Sequence, residues 1–538
     1  MRILFYNWVD YLDDEKRGGG VSLYQKNLIA ALDDEDDIHC TFLSSGISYD
    51  LFSDAPRWER VRHGPAHDNQ NRFEIINSGV LSPAHHSFGD PRQLDDPATV
   101  ETFFDFIRRN GPFDVVHFNN LEGLPATALA LKEQFPETRV ILALHNYYPI
   151  CPQVNLWFKE RANCIDFDEG RKCIDCLPFR HDQRVVRLAN AVAFNLKKWG
   201  IRPGTRLFDR GFGPAMRVAN RLVRFYRNRI KPATASDAAA PVKLAKGELL
   251  QEMEARNPKY VNRRARMVDL INTHCDTVLC VSDRVGVVAA RYGIAPDLLQ
   301  TSYIGTRHSA KFAKTRPARS LLKPDGTLTL AYLGYMRQDK GFFFLLKALE
   351  RLPVAQARRI TLVICSRRTD QQTMDRISAL SERFASVKFA DGYTQDQLDQ
   401  LLDGVDLGVI PVLWEDNLPQ VAIEMHARHI PLLTSDLGGA QELGRCPDLV
   451  FANGSRKSFE ARIAAILNEE VDLRAYWQGA MNPYSMKDHM AELLQVYDTP
   501  PRAIACLPSA PGTRPEPHRR PPVSQADPDR DEDFYTLV

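Results

Sequence analysis

The chain has 538 residues, of which 44% are hydrophobic and 25% are charged, and its formal net charge is +1. This length allows two domains and an insertion, and the near-zero charge predicts no overall attraction to nucleic acid or membrane, so that any attraction must be local. No apolar run reaches the roughly 20 residues of a membrane-spanning helix, and Trp8 and Asp10 come too early for a signal peptide. We therefore expect a cytoplasmic chain whose ten cysteines are mostly reduced.

The chain begins with a predicted strand over residues 2–7, a glycine turn at Gly18, Gly19 and Gly20, and a predicted helix over 21–32. Glycine amides at a helix start can approach an anion closely, because no side chain intervenes and the helix dipole is positive there. Three glycines are also typical of a flexible loop, but their place between the first strand and the first helix favours anion binding. Gly19 and Gly20 are therefore candidate contacts for a diphosphate or an acceptor.

Residues 114–118 and 139–144 predict two further strands, with a helix over 122–134 between them. Strands that alternate with helices predict a doubly wound α/β domain, in which ligands bind at the carboxyl ends of the strands. The second of these strands ends at His145, which is therefore a candidate contact for a ligand. The alternative is a structural histidine with no role in binding.

Four cysteines follow within one short polar stretch: Cys151, Cys164, Cys173 and Cys176. Clustered thiolates in a reducing compartment favour a structural zinc ion with tetrahedral coordination. The wide spacing of the first three also leaves reduced thiols or a redox-active pair open. We expect no cofactor that catalysis requires, and a structural zinc ion at these four residues.

Residues 180–231 form a strongly basic segment in which apolar and aromatic side chains are interleaved with arginine and lysine. This pattern predicts one or two basic amphipathic helices that lie on an anionic membrane surface, with a solvated insertion as the alternative and nucleic-acid binding disfavoured. Residues 233–241 then read as a flexible link. From residue 499 to 538 the chain is rich in Pro, Arg and Asp, which predicts a disordered tail.

A second alternation of strands and helices starts at residue 327, where a strand over 327–334 leads through Arg337 and Lys340 to a helix that begins at Phe342. Further on, an apolar strand over 407–412 ends in an acidic turn that contains Asp416, Asn417 and Leu418. A helix with Glu424, a strand over 430–433 and the residues Gly438, Gly439 and Glu442 follow. The two acids Asp416 and Glu424 and the Gly-Gly-x-x-Glu pattern are the main motif of the chain.

This motif resembles the nucleotide-sugar signature of retaining glycosyltransferases of group 1, which have the GT-B fold. The resemblance implies an α/β chain with two doubly wound, Rossmann-like domains that face each other across a cleft. It places an N-terminal acceptor domain at residues 1–308, with an insertion at about 151–260, and a C-terminal nucleotide-sugar-binding domain at 309–498. It covers most of residues 1–498, and more strongly the second domain than the first.

The resemblance also implies roles for single residues. Glu424 holds the ribose of the donor, Asp416 and the amides of Asn417 and Leu418 bind the donor sugar, and His145 lies near the transferred sugar. Lys340, with Arg337 in support and the amides of Gly19 and Gly20, meets the charge of the diphosphate.

Two positions depart from the pattern of the family. Asp416 stands where the family usually has glutamate, and Tyr335 stands where it usually has arginine. Loss of one preorganised donor typically costs about 100- to 1000-fold in rate, so the second departure bears directly on activity.

The sequence thus predicts a retaining hexosyltransferase that moves a sugar from a nucleotide diphosphate sugar to a hydroxyl of a glycan or lipid-linked glycan, in the biosynthesis of a surface polysaccharide. We expect it at the inner face of the membrane, held there by residues 180–231. Two alternatives remain open, a GT-B epimerase that rearranges the donor and a non-catalytic subunit that only binds it.

Overall fold

The computed structural model describes residues 1–13, 15, 17–62, 70–177, 182–201, 205–212, 214 and 246–503. The chain forms two compact units. The first contains residues 1–143, 147–154 and 166–276, and the second contains residues 144–146, 155–165 and the chain from residue 277 onward. The domain boundary at 308/309 stays a prediction, and the predicted link at 233–241 and residues 504–538 of the predicted tail lie outside the described residues.

The first unit contains strands that are buried and parallel, apart from one antiparallel pair at the edge. In spatial order they run β6-β5-β1-β2-β4-β3, and only β3 and β4 pair antiparallel. The chain order therefore reverses between β1 and β5, where a doubly wound sheet opens a crevice for ligands. The strands are β1 (Arg2–Asn7), β2 (His39–Ser48), β3 (Arg57–Arg60), β4 (Arg72–Ile76), β5 (Val115–Phe118) and β6 (Arg139–Leu144).

The helices of the first unit connect these strands and extend into the basic segment. The α-helices are Gly19–Leu32, Pro97–Asn110, Arg171–Ile174, Gln183–Lys198 and Lys246–His274, with 3₁₀ turns at Ala84–Ser87 and Pro91–Gln93 and a π-helical turn at Phe208–Phe212.

One element of the first unit differs from the prediction. The α-helix predicted over residues 122–134 is instead the 3₁₀ helix Ala126–Glu133. Gly123 has a positive φ of 83° and lies close to the backbone carbonyl of Ser45, and Pro125 is extended (φ −62°, ψ 145°). The chain therefore passes in a sharp turn into a short helix, which the apolar spacing alone did not show.

The second unit contains a six-stranded, fully parallel sheet of order β13-β12-β11-β14-β15-β16. This is the order 3-2-1-4-5-6 of a doubly wound sheet, with its switch point between β11 and β14. The sheet is buried among apolar side chains that form the core of this unit. The strands of this sheet are β11 (Leu328–Leu333), β12 (Ile360–Ser366), β13 (Ser386–Asp391), β14 (Leu407–Ile410), β15 (Leu432–Ser435) and β16 (Val450–Phe451). The unit also contains the antiparallel pair β7 (Trp157–Phe158) and β8 (Ala162–Asn163), and the parallel pair β9 (Thr277–Cys280) and β10 (Leu299–Thr301).

The helices of the second unit alternate with its strands as predicted. The α-helices are Asp283–Arg291, Ser309–Lys314, Phe342–Arg351, Val354–Ala357, Gln371–Ala379, Leu398–Leu401, Gln420–His426, Arg456–Leu467, Leu473–Gly479 and Met486–Tyr497, and the 3₁₀ turns are Pro296–Leu298, Leu380–Glu382, Gln395–Gln397, Gly439–Glu442 and Pro447–Leu449. Two parallel sheets with alternating helices confirm the predicted α/β class. Within the described residues, no helix is long and apolar enough to cross a membrane.

Candidate active site

At the switch point of the second sheet, the loops after β11 and β14 meet at a contact that requires glycine. Gly341 begins the helix Phe342–Arg351 with a φ of 71°, and a Cβ atom on it would lie 1.6 Å from the carbonyl oxygen of Pro411. The backbone N–H of Leu413 donates to the carbonyl oxygen of Asp339 at 2.9 Å. These contacts hold the loop after β11 directly against the loop after β14.

This packing brings together two of the residues predicted from the sequence. The Lys340 ammonium donates to Oδ2 of Asp416 at 2.6 Å, and it lies 5.1 Å from the centre of the Trp414 ring. The Lys340 side chain is 28% exposed and that of Asp416 is 9% exposed. A cation is thus held at the carboxyl ends of the strands, and one face of it remains accessible to an anionic ligand.

Arg337 lies on the same loop but has a different partner. Its guanidinium donates two hydrogen bonds of 2.9 Å to the buried carboxylate of Asp339. The Arg337 side chain is nevertheless 60% exposed, and Tyr335, at the usual arginine position, is 63% exposed. The structure therefore presents a guanidinium two residues beyond the expected place, already paired with a carboxylate.

The Gly-Gly-x-x-Glu pattern supports the acidic turn through its two glycines. The N–H of Gly439 donates to the carbonyl oxygen of Asp416 at 3.0 Å. A Cβ atom at Gly438 would lie 2.3 Å from that same oxygen, and one at Gly439 would lie 2.3 Å from the carbonyl oxygen of Asn417. Gly438 also has a φ of 73°. Larger residues here would push the turn out of place.

Asn417 and Leu418 complete this turn. The Nδ2 group of Asn417 donates to the carbonyl oxygen of Leu144 at 3.3 Å, and the carbonyl oxygen of Asn417 accepts from the hydroxyl of Ser282 at 2.7 Å. The side chain of Leu418 is buried, and the contact of its amide with a donor sugar stays a prediction.

The glutamates Glu415 and Glu442 have structural roles that sequence reasoning missed. Glu415 accepts two hydrogen bonds from the Arg284 guanidinium, at 2.8 and 2.6 Å. Glu442 accepts from the backbone N–H groups of Asp283 and Arg284, at 2.9 and 2.7 Å, and from the Tyr303 hydroxyl at 2.7 Å. Both carboxylates therefore hold the start of helix Asp283–Arg291. The motif identified Glu442, but no signal in the sequence pointed to Arg284 or Tyr303.

Glu424 lies on the helix Gln420–His426 and is 5% exposed. Burial raises the pKa of its carboxyl to about 7, although the charges of Arg428 and Arg307 oppose the shift. Its Oε1 lies 3.9 Å from Nε2 of His308, whose own pKa burial lowers to about 4. Among the described residues, Oε2 of Glu424 has no hydrogen-bond partner. A hydroxyl group of a ligand would supply one.

His145 follows β6 and belongs to the second unit. Burial, with a smaller contribution from His489, lowers the pKa of its imidazole to about 4, so the ring is neutral at pH 7. The Asn417 bond to Leu144 links the acidic turn to the residue just before His145. A neutral imidazole next to that turn can exchange hydrogen bonds with sugar hydroxyls without adding charge.

Gly19 and Gly20 belong to the first unit and form the first turn of helix Gly19–Leu32. Gly19 has a φ of 56°, and a Cβ atom on it would meet nothing within 4 Å. Glycine is therefore favoured at this position by the backbone conformation of the turn, and not because a side chain would clash. The contact of these amides with a diphosphate stays a prediction.

Within the described part of the chain, the four cysteines predicted to bind zinc form no disulfide bond, and three of them are buried. The thiol of Cys176 donates to Oε1 of Gln153 at 3.2 Å. Across the described part of the chain, no three or more His, Cys, Asp or Glu side chains are grouped to hold a metal ion. A structural zinc ion at Cys151, Cys164, Cys173 and Cys176 stays a prediction, and metal analysis of the purified protein is its test.

The basic segment is described at residues 182–201, 205–212 and 214, where it begins with the helix Gln183–Lys198. Several large apolar side chains here face solvent: Val185 (64% exposed), Leu188 (59%), Trp199 (62%) and Leu207 (70%). Arginine and lysine residues lie between these apolar residues along the sequence. The remainder of the predicted amphipathic segment lies outside the described residues.

Comparison with known proteins gave one family match. Residues 314–480 match the protein-family model "Glycosyl transferases group 1". No curated protein sequence matched the chain.

Several solved structures are similar at low sequence identity. Anabaena Alr3699/HepE in complex with UDP is 12% identical, with 92% of this chain and 99% of that chain covered and a TM-score of 0.49. Sucrose-phosphate synthase from Thermosynechococcus elongatus is 14% identical, with 92% and 98% covered and a TM-score of 0.49. The lipopolysaccharide outer core galactosyltransferase WaaB in its apo form is 12% identical, with 93% and 96% covered and a TM-score of 0.47. At these TM-scores the likenesses carry no argument about function, and the family match stands on its own.

Proposed function

We propose that the chain, whose residues 314–480 match the family model "Glycosyl transferases group 1", transfers a sugar from a nucleotide diphosphate sugar to a hydroxyl group, with retention at the anomeric carbon. The observation that carries this proposal is the Lys340–Asp416 pair of 2.6 Å at the switch point of a doubly wound sheet. A cation at that place suits an anionic ligand, and the carboxylate beside it suits sugar hydroxyls.

In the proposed reaction, the bond between the anomeric carbon and the β-phosphate oxygen breaks. A bond between the anomeric carbon and the acceptor oxygen forms on the same face, and the hydroxyl proton of the acceptor leaves with the nucleoside diphosphate. Negative charge grows on the departing phosphate, and preorganised donors stabilise such charge most effectively. Lys340 is the first such donor, with Arg337 in support.

The sugar and the ribose are held by acceptor groups. Asp416 and the amides of Asn417 and Leu418 bind the hydroxyls of the donor sugar, and His145 lies beside the transferred ring. Glu424 accepts hydrogen bonds from the ribose hydroxyls through the oxygen that has no partner among the described residues. Glu424 binds the ribose hydroxyls in its ionised form, since a carboxylate carries no proton and only accepts hydrogen bonds.

The acceptor we propose is a glycan or lipid-linked glycan of a surface polysaccharide, reached from an anionic membrane surface. The support is the helix Gln183–Lys198, on which Val185 and Leu188 are exposed on a strongly basic chain segment. Exposed apolar side chains beside cations are the composition of a helix that lies in the membrane interface.

The first test is a panel of UDP-, GDP- and ADP-sugars, measured by thermal shift and by donor hydrolysis. One donor should stabilise the protein and be hydrolysed slowly, and Lys340→Ala should abolish the hydrolysis. Lys388→Ala, which removes an exposed lysine from the same unit, is the matched control. A full panel without binding, or a Lys340→Ala variant as active as the control, contradicts the site assignment.

The membrane proposal has its own test. The protein should sediment with vesicles that contain anionic phosphatidylglycerol at low salt, and Leu188→Glu should weaken this sedimentation. Phe52→Glu, at a side chain that is 78% exposed elsewhere in the same unit, should leave it unchanged. Equal sedimentation of all three proteins, or none at all, contradicts a membrane role for this helix.

One observation favours a second candidate, a subunit that binds the donor without turnover. Lys340 and Arg337 are both already paired with carboxylates, Asp416 and Asp339, so neither charge is fully free for the phosphate. Donor binding without hydrolysis, with and without an added acceptor, would favour this candidate over the transferase.

A further inference from the structure

The first unit contains a cavity of about 390 Å³, and none of the donor-site residues predicted from the sequence lines it. It is lined by residues of β2, β3 and β4, by the loop after β1 and by helix Gln183–Lys198. Small-molecule sites typically enclose roughly 300–1,000 Å³, so the cavity is large enough for a sugar unit.

One of the residues that line this cavity is a buried aspartate, and one of its two carboxylate oxygens has no hydrogen-bond partner among the described residues. Asp10 is 4% exposed, and its Oδ1 accepts from the Arg72 guanidinium at 2.9 Å and from the Leu12 N–H at 2.7 Å. Among the described residues, its Oδ2 has no hydrogen-bond partner. Buried carboxylate oxygens usually have a hydrogen-bond partner, so this oxygen can still accept a hydrogen bond from a ligand.

A second carboxylate, Glu74, lies in the same cavity and accepts a hydrogen bond from the Ser48 hydroxyl. Burial raises the pKa of Glu74, and the charge of Asp10 raises it further, while the Ser48 hydrogen bond opposes the shift. The aromatic ring of Phe194 also lines the cavity. Paired carboxyl groups with an aromatic face suit hydroxyl groups and the apolar face of a sugar ring.

The charges around the cavity decide which kind of polar ligand fits. The cations Arg17, Lys197 and Lys198 pair with neighbouring acids, such as Arg17 with Asp13 at 2.6 Å and Lys197 with Glu15 at 2.7 Å. The lining has five acidic and five basic side chains, so its formal charges cancel. Neither a cationic nor an anionic ligand is favoured, whereas sugar hydroxyls can donate to the acids and accept from the cations.

We infer that this cavity binds an uncharged, hydroxyl-rich group of sugar size, and that this group is part of the acceptor. Its hydroxyls donate to Asp10 and Glu74, and one face of its ring packs on Phe194. The role as acceptor rests on the proposed transfer reaction, while the class of ligand rests on the cavity alone. The helix with Phe194 is also the helix whose exposed apolar residues we propose to lie at the membrane.

The test is saturation-transfer NMR of the full chain with methyl α-D-glucopyranoside and methyl β-D-galactopyranoside as uncharged probes, beside glucosamine as a cation and glucose 6-phosphate as an anion. At least one methyl glycoside should bind, and Asp10→Asn should weaken binding about tenfold or more, since a hydrogen bond to a charged group is lost. Glu101→Gln, at an exposed acid of the same unit, is the matched control.

Phe194→Ala provides a second variant that leaves the Asp10–Arg72 pair intact, and it should also weaken binding. The inference is overturned when no methyl glycoside binds to the wild-type protein, when only glucosamine or glucose 6-phosphate binds, or when both variants bind as the control does. Donor hydrolysis separates the two proposals. A hydrolysed donor without glycoside binding contradicts only the cavity, and glycoside binding without any donor binding contradicts only the transferase.

Discussion

Because Glu424 is buried, we predict that its ionised form lowers the stability of the protein, although this form is the one that binds the donor. Its carboxyl is 5% exposed and has a pKa of about 7, against an ordinary value of 4.5. The folded state therefore holds this proton to a higher pH than the unfolded state does, and stability falls as the pH rises from about 4.5 to about 7. Glu424→Gln removes the ionisation and should stabilise the protein at pH 8, while it weakens donor binding.

The magnitude follows from the shift in pKa. A difference of about 2.5 units at about 1.4 kcal/mol per unit gives a cost of about 3 kcal/mol above pH 7. At pH 5, only about half a unit above the pKa of the unfolded state, the folded state still holds the proton and the cost is about 1 kcal/mol. The advantage of Glu424→Gln should therefore grow by about 2 kcal/mol between pH 5 and pH 8.

Urea unfolding at pH 5 and pH 8, followed by tryptophan fluorescence, measures this difference. Glu382→Gln, at an exposed glutamate of the same unit, should show no such dependence on pH. A donor titration adds a second readout, because the ionised fraction of Glu424 falls about tenfold from pH 8 to pH 6 and the donor affinity of the wild type should fall with it. A Glu424→Gln protein that is less stable than the wild type at pH 8 would refute the reasoning.

Three further predictions concern the same unit. Lys340→Ala should lower donor hydrolysis about 100- to 1000-fold, and steady-state kinetics that show less than tenfold loss would contradict its role. Gly341→Ala should destabilise the unit by at least about 2 kcal/mol, because of its φ of 71° and the carbonyl of Pro411, and an unchanged urea midpoint would contradict this contact. Arg284→Met should cost about 3 kcal/mol because it leaves Glu415 buried without its partner. The double variant Arg284→Met with Glu415→Gln should recover part of that stability, and no recovery would contradict the pairing.

Local patterns in the sequence predicted most of the second unit. The strand Arg2–Asn7 of the first unit and the helix Phe342–Arg351 of the second begin at the predicted residues. The spacing of apolar residues predicts such elements well, because each element is stabilised by its own buried face. The helix predicted at 122–134 failed because a turn at Gly123 and Pro125 competes with the apolar pattern.

The sequence also predicted that Lys340, Asp416 and Glu424 belong to one site, but not what each of them contacts. Asp416 lies 76 residues from its partner Lys340 along the chain, and Glu415 lies 131 residues from Arg284. Contacts over such distances depend on how the strands are ordered in the sheet, and the spacing of a motif does not contain that order.

The sequence by itself determined the alternation of strands and helices, the family of residues 314–480 and the types of residue at the strand ends. Only the tertiary structure decided that Lys340 is paired with Asp416, that Glu442 holds a helix start and that the buried Asp10 lines a cavity. It also decided that the carboxyl of Glu424 is buried. The physical reason is that a pKa, an ion pair and a cavity depend on which groups surround a residue in space, and the chain sets those neighbours only when it folds.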